Sequence, residues 1–80
     1  MAWFEFFWTP DIEEHLAEHD VTPEDFEFVV CHPSRREPSR SSDRIVAQGY
    51  DPTGRWLACV YELVDRTTVI PVTAYEPERQ

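Results

Sequence analysis

The hydrophobic and polar positions change period along the chain. Trp3-Phe4-Glu5-Phe6-Phe7-Trp8 is a dense aromatic run of the kind found in strands. Alternation puts Phe4, Phe6 and Trp8 on one face, with Trp3 and Phe7 flanking Glu5 on the other. Thr9-Pro10 then opens a helix, Thr9 as N-cap and Pro10 at the first helical position, and Asp11, Glu13 and Glu14 suit its positive end. Ile12 and Leu16, with His15 or His19, form its inner stripe, and Asp20 ends it. Thr22-Pro23-Glu24-Asp25 punctuates a second helix with a variant capping box, and Val21 and Phe26 stand at the two positions of a hydrophobic staple. Phe26, Val29 and Val30 follow helical spacing up to Cys31, where Pro33 stops the helix by disfavouring helical geometry at His32.

From Arg44 the period becomes two. Arg44–Tyr50, Arg55–Leu63 and Thr67–Tyr75 are predicted strands, joined by the type I turn signal Asp51-Pro52-Thr53-Gly54 and the short link Val64-Asp65-Arg66. Pro71 has no N–H for a ladder, so its strand lies at an edge or Pro71 faces away from its partner. Residues 33–43 (Pro-Ser-Arg-Arg-Glu-Pro-Ser-Arg-Ser-Ser-Asp) carry no apolar anchor and are expected to form a polar loop, and residues 76–80 a flexible tail. The predicted order is β-α-α-β-β-β. It corresponds to one small α+β domain over residues 1–80, with two helices packed on an antiparallel sheet.

Composition narrows the function. Eighty residues hold one small core, too little for a multidomain enzyme or a nucleotide-binding α/β domain. The net charge of −9 excludes a protein that coats nucleic acid through overall positive charge. The charge is unevenly spread. Residues 1–28 contain acids and no Lys or Arg, whereas residues 33–44 hold Arg35, Arg36, Arg40 and Arg44 against Glu37 and Asp43. Any anion-binding surface must draw on that second segment. Cys31 and Cys59 do not make a disulfide framework and read as reduced structural thiols. The apolar start is too short to span a membrane and lacks a basic leader, so a soluble cytoplasmic protein is expected.

Two groups of residues could carry chemistry. His15 and His19 have the i, i+4 spacing of metal ligands, but the surrounding Glu-His-Leu-Ala-Glu-His is not the zinc-protease signature, and neither a metal nor another cofactor is expected. A sheet face carrying Arg, Tyr and one imidazole can cleave RNA without metal. It needs a base for the ribose 2′-hydroxyl, a cation for the phosphorane and an acid for the leaving oxygen.

At this point a resemblance enters. Phe6-Phe7-Trp8-Thr9-Pro10, Asp20-Val21-Thr22-Pro23-Glu24-Asp25 and Val29-Val30-Cys31-His32-Pro33 resemble the opening of BrnT-type toxins, with Trp8, His19, Val21, Glu24 and Pro33 on matching positions. Arg44, Gly49, Gly54, Arg55, Leu57, Val60 and Tyr61 are similar to the family's meander, so the likeness runs from about residue 6 to 75. It implies a RelE-like fold, a metal-independent endoribonuclease toxin of a type II toxin–antitoxin pair, and a cognate antitoxin. Catalytic candidates are then His19, Arg44, Arg55 and Tyr75, with Arg35, Arg36 and Arg40 gripping the RNA backbone. The chain departs from the pattern at Glu18 (a Lys in the family), Asp20 (Gly) and Tyr75 (Arg), and Pro77 replaces a basic terminal helix. A second reading follows from those departures and the acidic first third: a non-catalytic interaction module on the same scaffold that docks a basic protein partner.

Overall fold

The computed structural model describes residues 4–38 and 44–77. Its elements are β1 (Glu5–Phe6), α1 (Pro10–Ala17), α2 (Pro23–Cys31), β2 (Arg35–Pro38), β3 (Ile45–Tyr50), β4 (Trp56–Leu63) and β5 (Thr68–Tyr75). Both helix starts form as their sequences dictate. Thr9 Oγ1 accepts from the Ile12 N–H, and Thr22 and Asp25 close a reciprocal capping box, each with Pro in the first turn. Helix α1 ends in a Schellman arrangement: the Val21 N–H reaches the Leu16 carbonyl (3.0 Å) and the Asp20 N–H that of Ala17 (3.0 Å). Asp20 takes the left-handed conformation (φ 59°) this ending requires. The two residues that accompany such a motif, Leu16 and Val21, are both buried.

The sheet has the order β1-β5-β4-β3-β2. The α+β class and the two helices on a sheet are as expected, but there are five strands and the sheet is mixed, because β1 runs parallel to β5. The added strand is β2. Residues 35–38, expected as loop, pair antiparallel with β3 from Arg35↔Gln48 to Pro38↔Ile45. Every one of its side chains is exposed, so no apolar pattern announces it; it is held as an edge by its pairing with β3, without apolar burial. Gly49 permits the approach to this edge. A Cβ there would lie 3.2 Å from the Ser34 nitrogen and 3.3 Å from the His32 carbonyl oxygen.

Strand β5 is interior, yet Pro71 is accommodated. Strand β1 pairs only with Thr68 and Val69, so Pro71 lies beyond it. On the other side the register shifts, Val60 facing Thr73 and Tyr61 facing Pro71, a bulge at the residue that lacks an N–H. One sheet face packs under the helices. Leu16, Val21, Phe26, Val29 and Val30 meet Ala47, Leu57, Cys59, Tyr61, Val69 and Ala74, with Phe4, Phe6 and Trp8 against them. The aromatic run therefore presents the expected face inward. Phe26 takes the Phe6 and Trp8 rings edge-on, at centroid distances of 6.3 and 5.5 Å. The Trp8 indole N–H donates to Glu27 at 2.7 Å, so the half-buried ring leaves no unsatisfied donor.

Candidate functional site

Among the described residues, no helix packs on the opposite sheet face. Paired residues share a face of a pleated sheet, so one row across it reads Arg35, Gln48, Ala58 and Tyr75 over four strands. Tyr50 and Trp56 form the neighbouring pair, with ring centroids 4.9 Å apart and edge to face. The Trp56 indole N–H donates to the Gln48 Oε1 (3.2 Å), whose amide nitrogen donates to Glu37 (3.4 Å). Tyr50 and Tyr75 are largely exposed, and Ala58 between Gln48 and Tyr75 leaves the centre of the row shallow. Arg35 contacts Glu37 at 3.9 Å on this face, whereas Arg36, one residue on, turns toward the helix side. Arg40 lies outside the described residues.

Arg44 and Arg55 each begin a predicted strand. In an antiparallel hairpin the two beginnings are at opposite ends. Arg44 pairs with Glu62 (3.3 Å) near the end of β4, and Arg55 precedes its first residue. Seven strand residues separate the two levels, about 23 Å at the usual rise. They do not form one site.

Arg55 instead gathers the far pole. Its Nη2 donates to the Asp20 carbonyl at 2.5 Å and lies 3.6 Å from Asp25 Oδ2. Nη1 donates to Glu76 Oε1 at 3.3 Å, and Nε faces Asp51 Oδ2 at 3.5 Å. One guanidinium thus ties the end of α1, the start of α2, the β3–β4 turn and the segment after β5. Two of these contacts fall on the chain neighbours of predicted site residues, Asp20 beside His19 and Glu76 beside Tyr75. The contacts reach the chain neighbours of His19 and Tyr75 rather than those residues themselves, with Tyr75 on the open face and Arg55 among the groups on the helix side.

Asp51 is the group that sequence reasoning missed. It is 4% exposed, and its Oδ1 accepts from the Thr53 N–H (2.9 Å), the Thr53 hydroxyl (2.7 Å) and the Arg55 N–H (2.8 Å). Burial pushes its pKa up, but the Thr53 hydroxyl, the two N–H groups and the Arg55 charge outweigh it, holding the carboxyl below the usual range. Gly54 closes the turn with φ 91° and an N–H to the Asp51 carbonyl (3.0 Å). The signal was present as Asp-Pro-Thr-Gly followed by Arg: an Asp that caps its own turn also sits four residues before the cation.

His15 and His19 pack edge to face at 5.5 Å, and His15 Nε2 lies 2.9 Å from the Thr73 hydroxyl. Among the described residues no group of three His, Cys, Asp or Glu is placed to hold a metal, and no helix is long and apolar enough to cross a membrane. Across the core, the buried Tyr61 hydroxyl has its pKa raised, chiefly by burial, with Arg36 acting against it and Cys31 and Cys59 adding to it.

The whole chain is similar in structure to the Brucella abortus ribonuclease toxin BrnT, with a TM-score of 0.71, 16% identity, and coverage of 99% of this chain and 100% of that one. The fold is BrnT-like. No protein-family model matches the sequence, and no curated protein matches it. At this identity the likeness carries the architecture, so what the BrnT-like fold does here rests on the residues it positions.

Proposed function

We propose that the protein is the toxin-like member of a cytoplasmic type II toxin–antitoxin pair and an endoribonuclease that needs no metal or other cofactor. The observation that supports this reading most is the open sheet face, where Arg35, Tyr50, Trp56 and Tyr75 offer stacking surfaces and a cation to single-stranded RNA. Arg35 and Arg44, with Arg40, hold the phosphate backbone on this face, while Arg36, on the helix side, could meet it only around the sheet edge. Chemistry belongs to the Arg55 pole. His19 takes the proton of the 2′-hydroxyl, and O2′ attacks the adjacent phosphorus. As the bond from phosphorus to O5′ breaks, Tyr75 returns a proton to O5′, leaving a 2′,3′-cyclic phosphate and a 5′-hydroxyl, with Arg55 facing the charged phosphorane. Arg44, at the far end of the hairpin, serves in this reading as a binding residue rather than in this step.

A second reading is favoured by one observation: Arg55 already faces Asp25, Asp51 and Glu76. A cation so occupied has little left for a phosphorane, and the scaffold then serves as a non-catalytic module for a basic protein partner. Inducible expression separates the two readings, with His19→Ala and Tyr75→Phe as controls because neither residue belongs to the buried core. Growth arrest and cut cellular RNA with wild type, lost in both variants, supports the nuclease. Normal growth and intact RNA on wild-type expression removes it in favour of the module.

A further inference from the structure

The outer side of α1 and the α1–α2 connection enclose a groove of about 510 Å³. Its apolar lining comes from Ala17, Val21 and Pro23, and its charge from Glu13, Glu14 and Asp20. The carboxylates of these three acids have no ion pair or hydrogen bond among the described residues, in contrast to Asp25, Asp51, Glu62 and Glu76, each of which faces an Arg. Residues 1–28 contain no Lys or Arg, and Arg55 reaches this edge through the Asp20 carbonyl rather than its carboxylate. An apolar channel edged by unpaired carboxylates is complementary to one kind of occupant, a cationic segment that buries an apolar side chain. We propose that this groove docks a partner protein through a Lys- or Arg-rich segment carrying one apolar anchor. The anchor sits against Val21 and Pro23 while the flanking cations meet Glu13, Glu14 and Asp20. The inference deepens the partner-binding part of the reading above and rests on it; it does not require RNA cleavage. The groove lies on the helix layer, away from the open sheet face, and meets the Arg55 pole at Asp20, so a docked partner would border the cleavage pole without covering the open face.

The test titrates the full chain with a synthetic peptide, acetyl-Arg-Arg-Ala-Leu-Arg-Ala-Arg-Arg-amide, following backbone amide shifts by NMR and affinity by fluorescence anisotropy. Shifts concentrated at Ala17, Val21 and Thr22 are expected. Replacing the peptide's Leu by Ser is expected to weaken binding about tenfold, because the anchor's burial is lost. A Glu13→Gln, Glu14→Gln, Asp20→Asn variant is expected to lose about tenfold or more, and Ala17→Gln, a helix-compatible change that fills the channel, a similar factor. Circular dichroism melting of each variant confirms that it is folded. Shifts spread over all the acidic residues, equal affinity for the Leu and Ser peptides, or no binding at low salt would each overturn the proposal. Growth arrest by wild type together with any of these outcomes sinks the groove and leaves the nuclease reading intact. Peptide binding without toxicity does the reverse.

Discussion

Replacing Asp51 by Asn removes one charge from the Arg55 pole with little change of shape, and replacing it by Ala removes the hydrogen bonds as well. The Asp51–Arg55 contact at 3.5 Å corresponds to about 5 kcal/mol of gross attraction at an effective dielectric of roughly 20. Arg55 is 27% exposed and shares its charge with Asp25 and Glu76, so the net loss in the Asn variant is smaller, about 1.5 kcal/mol. The Ala variant also loses three bonds to Oδ1; with each charge-assisted bond contributing about 1.5–3 kcal/mol and the three not additive, about 3 kcal/mol is expected. A domain of this size has about 4–12 kcal/mol in all, so the Ala variant falls by roughly 12–24 °C in Tm and the Asn variant by about half of that. The sign with pH follows from the lowered pKa. The carboxyl is more acidic folded than unfolded, so its stabilisation is complete above the unfolded value of about 3.9 and fades as pH falls through the folded one. Urea unfolding followed by tryptophan fluorescence at pH 7 and at pH 3 should therefore show the difference between wild type and Asp51→Asn shrinking at the lower pH. An Asn variant within 0.5 kcal/mol (roughly the scatter of surface substitutions) of wild type at pH 7, or a loss unchanged at pH 3, would refute the assigned role.

Other positions give independent checks. Asp20→Gly should raise stability by about 0.5–1 kcal/mol in the same urea assay, since Asp20 holds a left-handed φ of 59° that glycine adopts without a Cβ penalty. Phe26→Ala removes a fully buried ring at the centre of the aromatic cluster and should cost about 3–5 kcal/mol, enough to unfold much of the protein at 37 °C as read by circular dichroism. A thiol reagent at pH 8 should label the exposed Cys31 and leave Cys59 intact until denaturant is added, as peptide mass mapping would show. Burial, with Asp25 adding to it, pushes Cys59 up to about 12; Cys31 is also raised, by partial burial and Glu27 against Arg36, so its labelling should be slower than that of a free cysteine.

The helices were legible because their signals are local. Thr9-Pro10 and Thr22-Pro23 satisfy backbone donors within three residues, and Val21 and Phe26 close the entry to α2 from either side. The three long strands were legible through alternation, which marks any strand with one covered face. Strand β2 was not, because an edge strand with both faces in water needs no apolar residue and its Arg-Arg-Glu-Pro reads as loop. The parallel pairing of β1 was hidden for another reason: two residues carry it, through Glu5 and Phe7 N–H groups on the Thr67 and Val69 carbonyls, and no side chain records direction. The site was legible in its residue types but not in its grouping. Strand starts look adjacent along a sequence, and only the antiparallel register sends Arg44 and Arg55 to opposite ends.

That separation, combined with exposure, sorts the arginines by what they can do. Arg35 and Arg44 pair with Glu37 and Glu62 at the surface, with side chains 65% and 46% exposed. Pairs of this kind contribute about 0–1 kcal/mol, little enough for a phosphate to compete for the guanidinium. Arg55 is different. Asp25 and Asp51 hold it from sites 17% and 1% exposed, so it cannot turn to a ligand without leaving a buried carboxylate unpaired. Glu76 is the exception, 54% exposed. A phosphate that replaced Glu76 on Nη1 would meet the one edge of Arg55 whose partner can leave at small cost, with Tyr75 directly before it in the chain. In the nuclease reading, Glu76→Gln should therefore increase RNA cleavage, because it vacates that edge and keeps Asp25 and Asp51 in place. In the module reading Arg55 has no ligand to receive, and the same substitution changes only surface charge.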